Sequence, residues 1–494
     1  MIDFILKKHL KENKNKIAIV DGCTKITYEE LYNNIGKKIQ KLNNIEIKKN
    51  SIIILKLKTE QMFIEYFFSI LNIGAIPVLC PYDIGNYELN NIIKETSSIG
   101  IICEEDINFL ESITRFEKYI FLDKGSNIIF AGTNDFNSTK FTEDNKIEFI
   151  MMSGGTTGIP KLVPIYSEKI KKHLKIVVEH YKLNNNTRLL SILPLNHKFG
   201  LYSPGILSVF YAGGTVIFGD AKNPSIFEKI KKCSINFISI TPSLMKMLLS
   251  CMEEYTYKVD IIVIGGELVD SILAKKIELK MGCTLIQSYG MTEGVLFATS
   301  IEDNDKTRFF TQGKNISIKD SWKIVDELGN ELEKNMVGEV LYRGDFLFKG
   351  YLNKKLNGGI FNNNYFKTGD MAFINDDGNI VIVGRKVEQI NIAGEKVFPQ
   401  EIEYHLKKIA GFKESIILGL PDEFTGERIC AVIVTEQDLE YKIIRKKIQN
   451  QLDRIGISKY KYPTQVVVRK NLPYTNVGKL DKNKLKEEII NYGK

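Results

Sequence analysis

The first half of the chain alternates short, continuous apolar runs with longer amphipathic segments. Ser51–Leu57 reads as a strand, Gln61–Leu71 as a helix and Ala75–Leu79 as the next strand, and Thr215–Phe218, Phe237–Ile240 and Asp260–Ile264 continue the series. Apolar runs of this kind, separated by helical periods, are what strands buried on both faces look like, so the pattern predicts α/β layers with parallel strands. From about Phe297 to Val383 the runs shorten, and Gly313, Gly329, Gly338, Gly344, Gly350 and Gly378 punctuate them, which predicts a smaller β-rich subdomain. After Gly384-Arg385 the texture changes to helix Gln400–Lys408, strands Glu414–Leu420 and Ile429–Val434, and helix Tyr441–Leu452. The expected fold is α/β: a large amino-terminal domain, residues 1–386, of layered α/β subdomains with the β-rich subdomain at about 297–383, and a small α+β domain at 387–494.

One strand-like run ends abruptly in polar chemistry. Phe149-Ile150-Met151-Met152 leads into Ser153-Gly154-Gly155-Thr156-Thr157-Gly158-Ile159-Pro160-Lys161. Glycines let the backbone approach an anion and aim several N–H groups at it. Thr156 and Thr157 add hydroxyl donors and Lys161 a mobile positive charge, together the chemistry of a triphosphate cradle. It is not a Walker loop, because no G-x-x-x-x-G-K-[ST] is present.

Composition narrows the function classes. A chain of 494 residues divides into more than one domain. Its net charge of +8 is modest at this length, and without arginine–aromatic interleaving it does not point to nucleic acid. Seven cysteines, an odd number without C-x-x-C spacing, argue against a disulfide framework or zinc site and for reduced, mostly buried thiols. His173, His180 and the other histidines lack metal-ligand spacing. No signal peptide is evident at Met1–Lys16, and the most apolar stretch, Phe67–Cys80, is too short to span a bilayer, so the expected location is cytoplasmic.

The glycine-threonine loop resembles the phosphate loop of adenylate-forming enzymes, the superfamily of acyl-CoA synthetases, peptide-synthetase adenylation domains and firefly luciferase. Further motifs follow in the family's order: Gly265-Gly266-Glu267, Ser288-Tyr289-Gly290-Met291-Thr292-Glu293, Tyr365-Phe366-Lys367-Thr368-Gly369-Asp370, Gly384-Arg385, Gly394-Glu395-Lys396-Val397 and Leu472–Lys479. The resemblance covers essentially the whole chain. Within it, Ser153-Gly154-Gly155, Pro194-Leu195-Asn196-His197, Ser203-Pro204-Gly205, Thr311-Gln312-Gly313 and Gln389-Ile390-Asn391 are similar to the stand-alone aryl-acid AMP ligases, such as 2,3-dihydroxybenzoate-AMP ligase, that start siderophore and nonribosomal peptide pathways.

The resemblance implies a mobile carboxy-terminal lid and a set of roles. Lys479 would stabilise the charge developing at the α-phosphate, with His197 and Glu293 as further catalytic groups and Glu293 as the Mg2+ carboxylate. ATP would be held by Ser153, Gly154, Gly155, Thr156, Thr157, Gly158 and Lys161; by Gly265, Gly266, Glu267, Ser288, Tyr289, Gly290, Met291 and Thr292 around adenine; and by Asp370 and Arg385 at the ribose or a phosphate. The acid would meet His197, Lys198, Phe199, Ser203, Gly265 and Leu296. The acceptor of the activated acyl group would be a phosphopantetheine thiol, on a separate carrier protein or on CoA.

Four departures from the pattern bear on these roles. Lys198 stands where the aryl branch has an asparagine for the ring's ortho hydroxyl; a buried lysine needs a partner, either an anionic or polar substituent of the acid, or solvent or an acidic neighbour. Val387 replaces the usual Asp or Lys of the lid hinge, and Ala393 the first of two glycines on the pantetheine path. Glu267, where the branch usually has alanine, keeps a stand-alone amino-acid-activating enzyme open, beside an acyl-CoA ligase and a non-catalytic nucleotide-binding homologue. The acid, the carrier and the oligomeric state stay open at this point.

Overall fold

The computed structural model describes residues 3–104, 118–122, 128–131, 146–153, 160–252, 257–317, 319–386, 390–392, 395–397, 399–422, 425–435, 439–455, 459–474 and 480–492. The chain packs as two compact units: Met1–Ser321 with Tyr342–Phe366, and Trp322–Leu341 with Lys367–Lys494.

The first unit is built on two sheets. A seven-stranded sheet runs Ile128–Ala131, Lys118–Leu122, Gly100–Cys103, Ile52–Lys56, Ile76–Leu79, Ile147–Ser153, Lys161–Tyr166. Its middle strands pair in parallel, and all five residues of Ile52–Lys56 are buried, as expected of a strand covered on both faces. A nine-stranded sheet runs Lys314–Asn315, Leu296–Ala298, Thr284–Gly290, Ile261–Gly265, Phe237–Ile240, Arg188–Ser191, Thr215–Phe218, Ile17–Asp21, Thr24–Thr27. The parallel core predicted from the apolar runs is therefore present, with antiparallel strands added at the edges.

Helices cover the sheets for local reasons. Tyr28–Asn44 starts at a capping box, in which Glu30 N–H donates to Thr27 Oγ1 at 3.1 Å and Thr27 N–H donates to Glu30 Oε2 at 2.8 Å. Glu60–Asn72 is buried almost all round, and its interior carboxylate, Glu65, accepts from Asn34 Nδ2 at 3.0 Å and Gln61 Nε2 at 2.9 Å. Among the described residues no helix is long and apolar enough to cross a membrane. All seven cysteines are free, and only Cys80, Cys103 and Cys430 are buried, fewer than the composition suggested.

In the second unit, Gly426–Thr435 is the central strand, antiparallel to Phe412–Asp422 and parallel to Gln465–Arg469. Its side chains alternate between two cores: Ile429, Ala431 and Ile433 pack with Ile402, Leu406 and Ile448, whereas Cys430, Val432 and Val434 pack with Leu472, Leu485 and Ile489. The segments 322–341 and 367–386, which the sequence texture places before the domain boundary, group with this unit by packing. Close approach explains part of this: a Cβ at Gly384 would meet Gln400 Oε1, on helix Pro399–Leu406, at 2.5 Å.

Phe149 shows how the strand Ile147–Ser153 is anchored. It is fully buried, with its ring edge-on to Phe67 at 5.4 Å and to Tyr202 at 6.1 Å. Phe149→Ala is expected to cost about 3–5 kcal/mol of stability, measured by urea denaturation.

Candidate active site

The strand Ile147–Ser153 and its partner Lys161–Tyr166 form an antiparallel pair in which Ser153 lies opposite Lys161. Both residues that bracket the glycine-threonine loop are thus fixed by the sheet. Ser153 Oγ donates to Glu293 Oε1 at 2.9 Å, and Tyr351 OH donates to the same oxygen at 2.8 Å. Lys161 Nζ lies 5.0 Å from the centroid of the Tyr351 ring. Three segments far apart in sequence therefore meet at one buried carboxylate, whose Oε2 accepts no hydrogen bond among the described residues.

Glu293 sits on a tight turn. Met291 N–H donates to Val295 O and Gly294 N–H to Met291 O, each at 3.1 Å, and Phe348 N–H donates to Glu293 O at 2.7 Å. Gly294 has φ +125°, and a Cβ there would meet Phe346 O at 2.3 Å, so the turn requires glycine. Magnesium bound to nucleotide takes one or two carboxylates and fills its remaining positions with phosphate oxygens and water. Glu293 fits that demand, and the described residues hold no cluster of three or more His, Cys, Asp or Glu that would suit an all-protein metal cage.

Lys198 opens the short helix Lys198–Leu201 and is 7% exposed. Its Nζ donates to Met291 O at 2.8 Å and to Val295 O at 3.0 Å. Burial pulls its pKa down from 10.5 to about 7, while the nearby Glu293 charge acts in the opposite sense. Ser203, a further polar acid-pocket candidate in this segment, is buried, and its Oγ lies 3.0 Å from His173 Nε2. The His173 ring packs edge-on against Tyr202 and Phe346, and burial, followed by the Lys198 charge, holds its pKa well below 6.5. A narrow cleft is lined by Tyr166, Lys169, His173, Lys198, Glu293 and Phe346 among others. His197 is exposed and Phe199 half-buried.

The face assigned to adenine is bare backbone. Gly265 pairs with Ser288 across parallel strands, and a Cβ at Gly265 would meet Ser288 O at 2.5 Å. Gly266 follows at φ +85°. Glu267 Oε2 accepts from Ser243 Oγ at 2.6 Å, while its Oε1 is buried without a hydrogen-bond partner. Ser288 is buried and donates to Phe297 O at 3.3 Å; Tyr289 and Thr292 are half-buried, Gly290 is exposed, and Leu296, paired with Gly290, is buried.

The sequence profile of the AMP-binding enzyme family matches residues 6–352, and that of the AMP-binding enzyme C-terminal domain matches residues 401–479. The chain belongs to the AMP-binding enzyme family. Like its relatives it is a ligase. It is 29% identical over 508 aligned positions to enterobactin synthase component E of Escherichia coli, covering 98% of this chain and 93% of that protein. It is 28% identical to the 2,3-dihydroxybenzoate-AMP ligase of Bacillus subtilis, with the same two shares covered. The fold matches ATP-bound MatB from Rhodopseudomonas palustris with a TM-score of 0.85 at 20% identity, over 99% of this chain and 100% of that one.

In the second unit of this AMP-binding enzyme, Asp370 and Arg385 are cross-strand partners, and Arg385 Nε lies 2.5 Å from Asp370 Oδ1. Asp370 N–H also donates to Thr368 Oγ1 at 3.0 Å, which ties the Thr-Gly-Asp motif to itself. Gly154, Gly155, Thr156, Thr157, Gly158, Val387, Ala393 and Lys479 lie outside the described residues. Sequence reasoning missed Tyr351 and His173 as neighbours of the site. Tyr351 follows a glycine at the end of an aromatic-rich run, a weak signal; His173 was weighed only as a metal ligand, and nothing local marks it as the partner of Ser203.

Because His173 is held neutral in the fold while the unfolded chain protonates below about pH 6.5, the folded state loses stability as pH falls through that value. His173→Gln removes this contribution. The stability difference between wild type and variant should shift toward the variant by up to about 1.4 kcal/mol per pH unit below pH 6.5. Urea denaturation at pH 7.5, 6.5 and 5.5 measures it, and parallel curves would mean that His173 titrates in the fold as it does in the unfolded chain.

Proposed function

We propose that this enzyme activates an aryl acid with ATP and passes the acyl group to the phosphopantetheine thiol of a separate carrier protein, as a step in siderophore or nonribosomal peptide biosynthesis in the cytoplasm. The observation that carries the reading is the convergence of Ser153 and Tyr351 on Glu293, with Lys161 Nζ over the Tyr351 ring. The aryl-acid direction rests on whole-length relatives named for enterobactin synthesis and 2,3-dihydroxybenzoate-AMP ligation.

In the first half-reaction an oxygen of the acid's carboxylate attacks the α-phosphorus of ATP, the bond to the β-phosphate oxygen breaks, and pyrophosphate leaves with that electron pair. Two anions must meet, so screening and in-line placement dominate the barrier. Ser153 and Lys161 brace the loop that holds the β- and γ-phosphates, and Glu293 offers the carboxylate for magnesium, which when bound neutralises phosphate charge. Gly265 and Gly266 leave room for the adenine plane against backbone, and Asp370, oriented by Arg385 and Thr368, accepts from the ribose hydroxyls. Lys479, on the C-terminal lid beyond the Val387 hinge, supplies the ammonium between carboxylate and α-phosphate. In the second half-reaction the thiol sulfur attacks the acyl carbon, AMP leaves, and the thiol proton passes to solvent.

Acid-dependent ATP–pyrophosphate exchange across dihydroxybenzoates, salicylate, amino- and carboxy-substituted benzoates, short aliphatic acids and amino acids tests the reading. Exchange with an aryl acid that falls about 10²–10³-fold in Lys479→Ala and Glu293→Gln is the expected result. Exchange with amino acids alone, or silence with every acid, would refute it. Loading of carrier proteins at a rate well above that of free CoA is expected for the second step, and the reverse order would reassign the acceptor.

A further inference from the structure

A cation is retained in a protein interior only where hydrogen bonds and opposite charge compensate its desolvation. For Lys198 the bonds end on a single structural feature. The two carbonyls it caps, Met291 O and Val295 O, are the ones that close the turn on itself through Gly294 N–H and Met291 N–H. Each therefore accepts two hydrogen bonds, one from within the turn and one from Lys198. The carboxylate on that turn, Glu293, is the acidic group whose charge acts on the lysine. Ser153, Tyr351 and Phe348 hold Glu293 through its side chain and its carbonyl; Lys198 holds the backbone on either side of it.

We propose that Lys198 is a positioning residue for the nucleotide half of the site: it fixes the Met291–Val295 turn so that Glu293 is presented to magnesium-bound ATP, and it does not select the acid. The proposal rests on the adenylation reading for its metal and nucleotide. Two of the three N–H groups of the ammonium are already used by the turn. Bonds from a charged donor are stronger than those between neutral groups, so losing two would loosen the turn by enough to change how the carboxylate meets a metal that demands near-ideal octahedral geometry.

Lys198→Met, Lys198→Gln and Lys198→Arg test it with two readouts. The first is the magnesium dependence of ATP–pyrophosphate exchange. Lys198→Met is expected to raise the half-saturating Mg2+ concentration about tenfold and to lower kcat, with KM for the acid within twofold of wild type; Lys198→Arg, which keeps charged donors, should recover most of the loss. The second needs no turnover: the gain in Tm on adding ATP with Mg2+, relative to ATP with EDTA, should fall to less than half in Lys198→Met. If Lys198→Met does not fold, Lys198→Gln, which keeps one amide donor, carries both measurements. In a Glu293→Gln background the Lys198 substitution should no longer change the magnesium-dependent gain, because the lysine acts through that carboxylate.

A changed acid KM or acid preference with unaltered magnesium dependence would overturn the proposal in favour of a specificity role. A lower Tm with an unaltered magnesium-dependent gain would reduce Lys198 to a purely structural residue, and tighter magnesium binding would make it a charge attenuator. Wild-type protein that shows the magnesium-dependent gain with ATP but exchanges with no acid would refute the adenylation reading alone, since the second readout still judges Lys198.

Discussion

The carboxylate of Glu293 is where the first unit is tied together around its chemistry. Its Oε1 accepts from Ser153, at the end of a strand in the seven-stranded sheet, and from Tyr351, in the segment that returns to this unit after the turn to the second. Charge-assisted hydrogen bonds of this kind are short and strong, and the two of them pin Ser153 and Tyr351 to one point. Ser153 in turn lies opposite Lys161 in the antiparallel pair, so the strand ends on both sides of the glycine-threonine segment are set by the sheet and by this carboxylate together.

Around this carboxylate the protein uses steric exclusion as much as attraction. Gly294 is pressed against the Phe346 carbonyl and Gly265 against the Ser288 carbonyl, so backbone lies where side chains would otherwise stand. His173, kept neutral by burial, fills the space behind Ser203 with an aromatic edge instead of a second cation beside Lys198. Lys198 and Glu293 are thus buried within reach of each other's charge, a balance that limits the desolvation cost of either.

Much of this was legible in the chain. Ser51–Leu57, Thr215–Phe218 and Tyr441–Leu452 lie within a residue or a few of the observed Ile52–Lys56, Thr215–Phe218 and Tyr441–Ile455, because continuous apolar runs and helical periodicity are local signals. Ordered motifs likewise pointed to Glu293, Asp370 and Arg385. Lys198 was legible as an anomaly but not as a structure: whether its stem ended on a ligand, solvent or backbone depended on a turn 93 residues downstream. Tyr351 and His173 escaped for the same reason, since their partners are set by tertiary approach and leave no periodic trace.

The pairing of Asp370 with Arg385 carries a consequence for how this hairpin can vary in length. Successive side chains of a strand face opposite ways, and the register already shifts by one residue between Met371 and Ala372, so Asp370 and Arg385 face each other only with that bulge in place; one further residue added between the bulge and the pair would turn one member to the far face of the sheet. The Asn375–Asn379 tip, closed by its own backbone and side-chain bonds, lies beyond the register that matters. Insertions at the tip would leave the Asp370–Arg385 pair opposed, whereas a single-residue insertion between the bulge and the pair would separate two groups that the chain keeps fifteen positions apart in sequence and face to face in space.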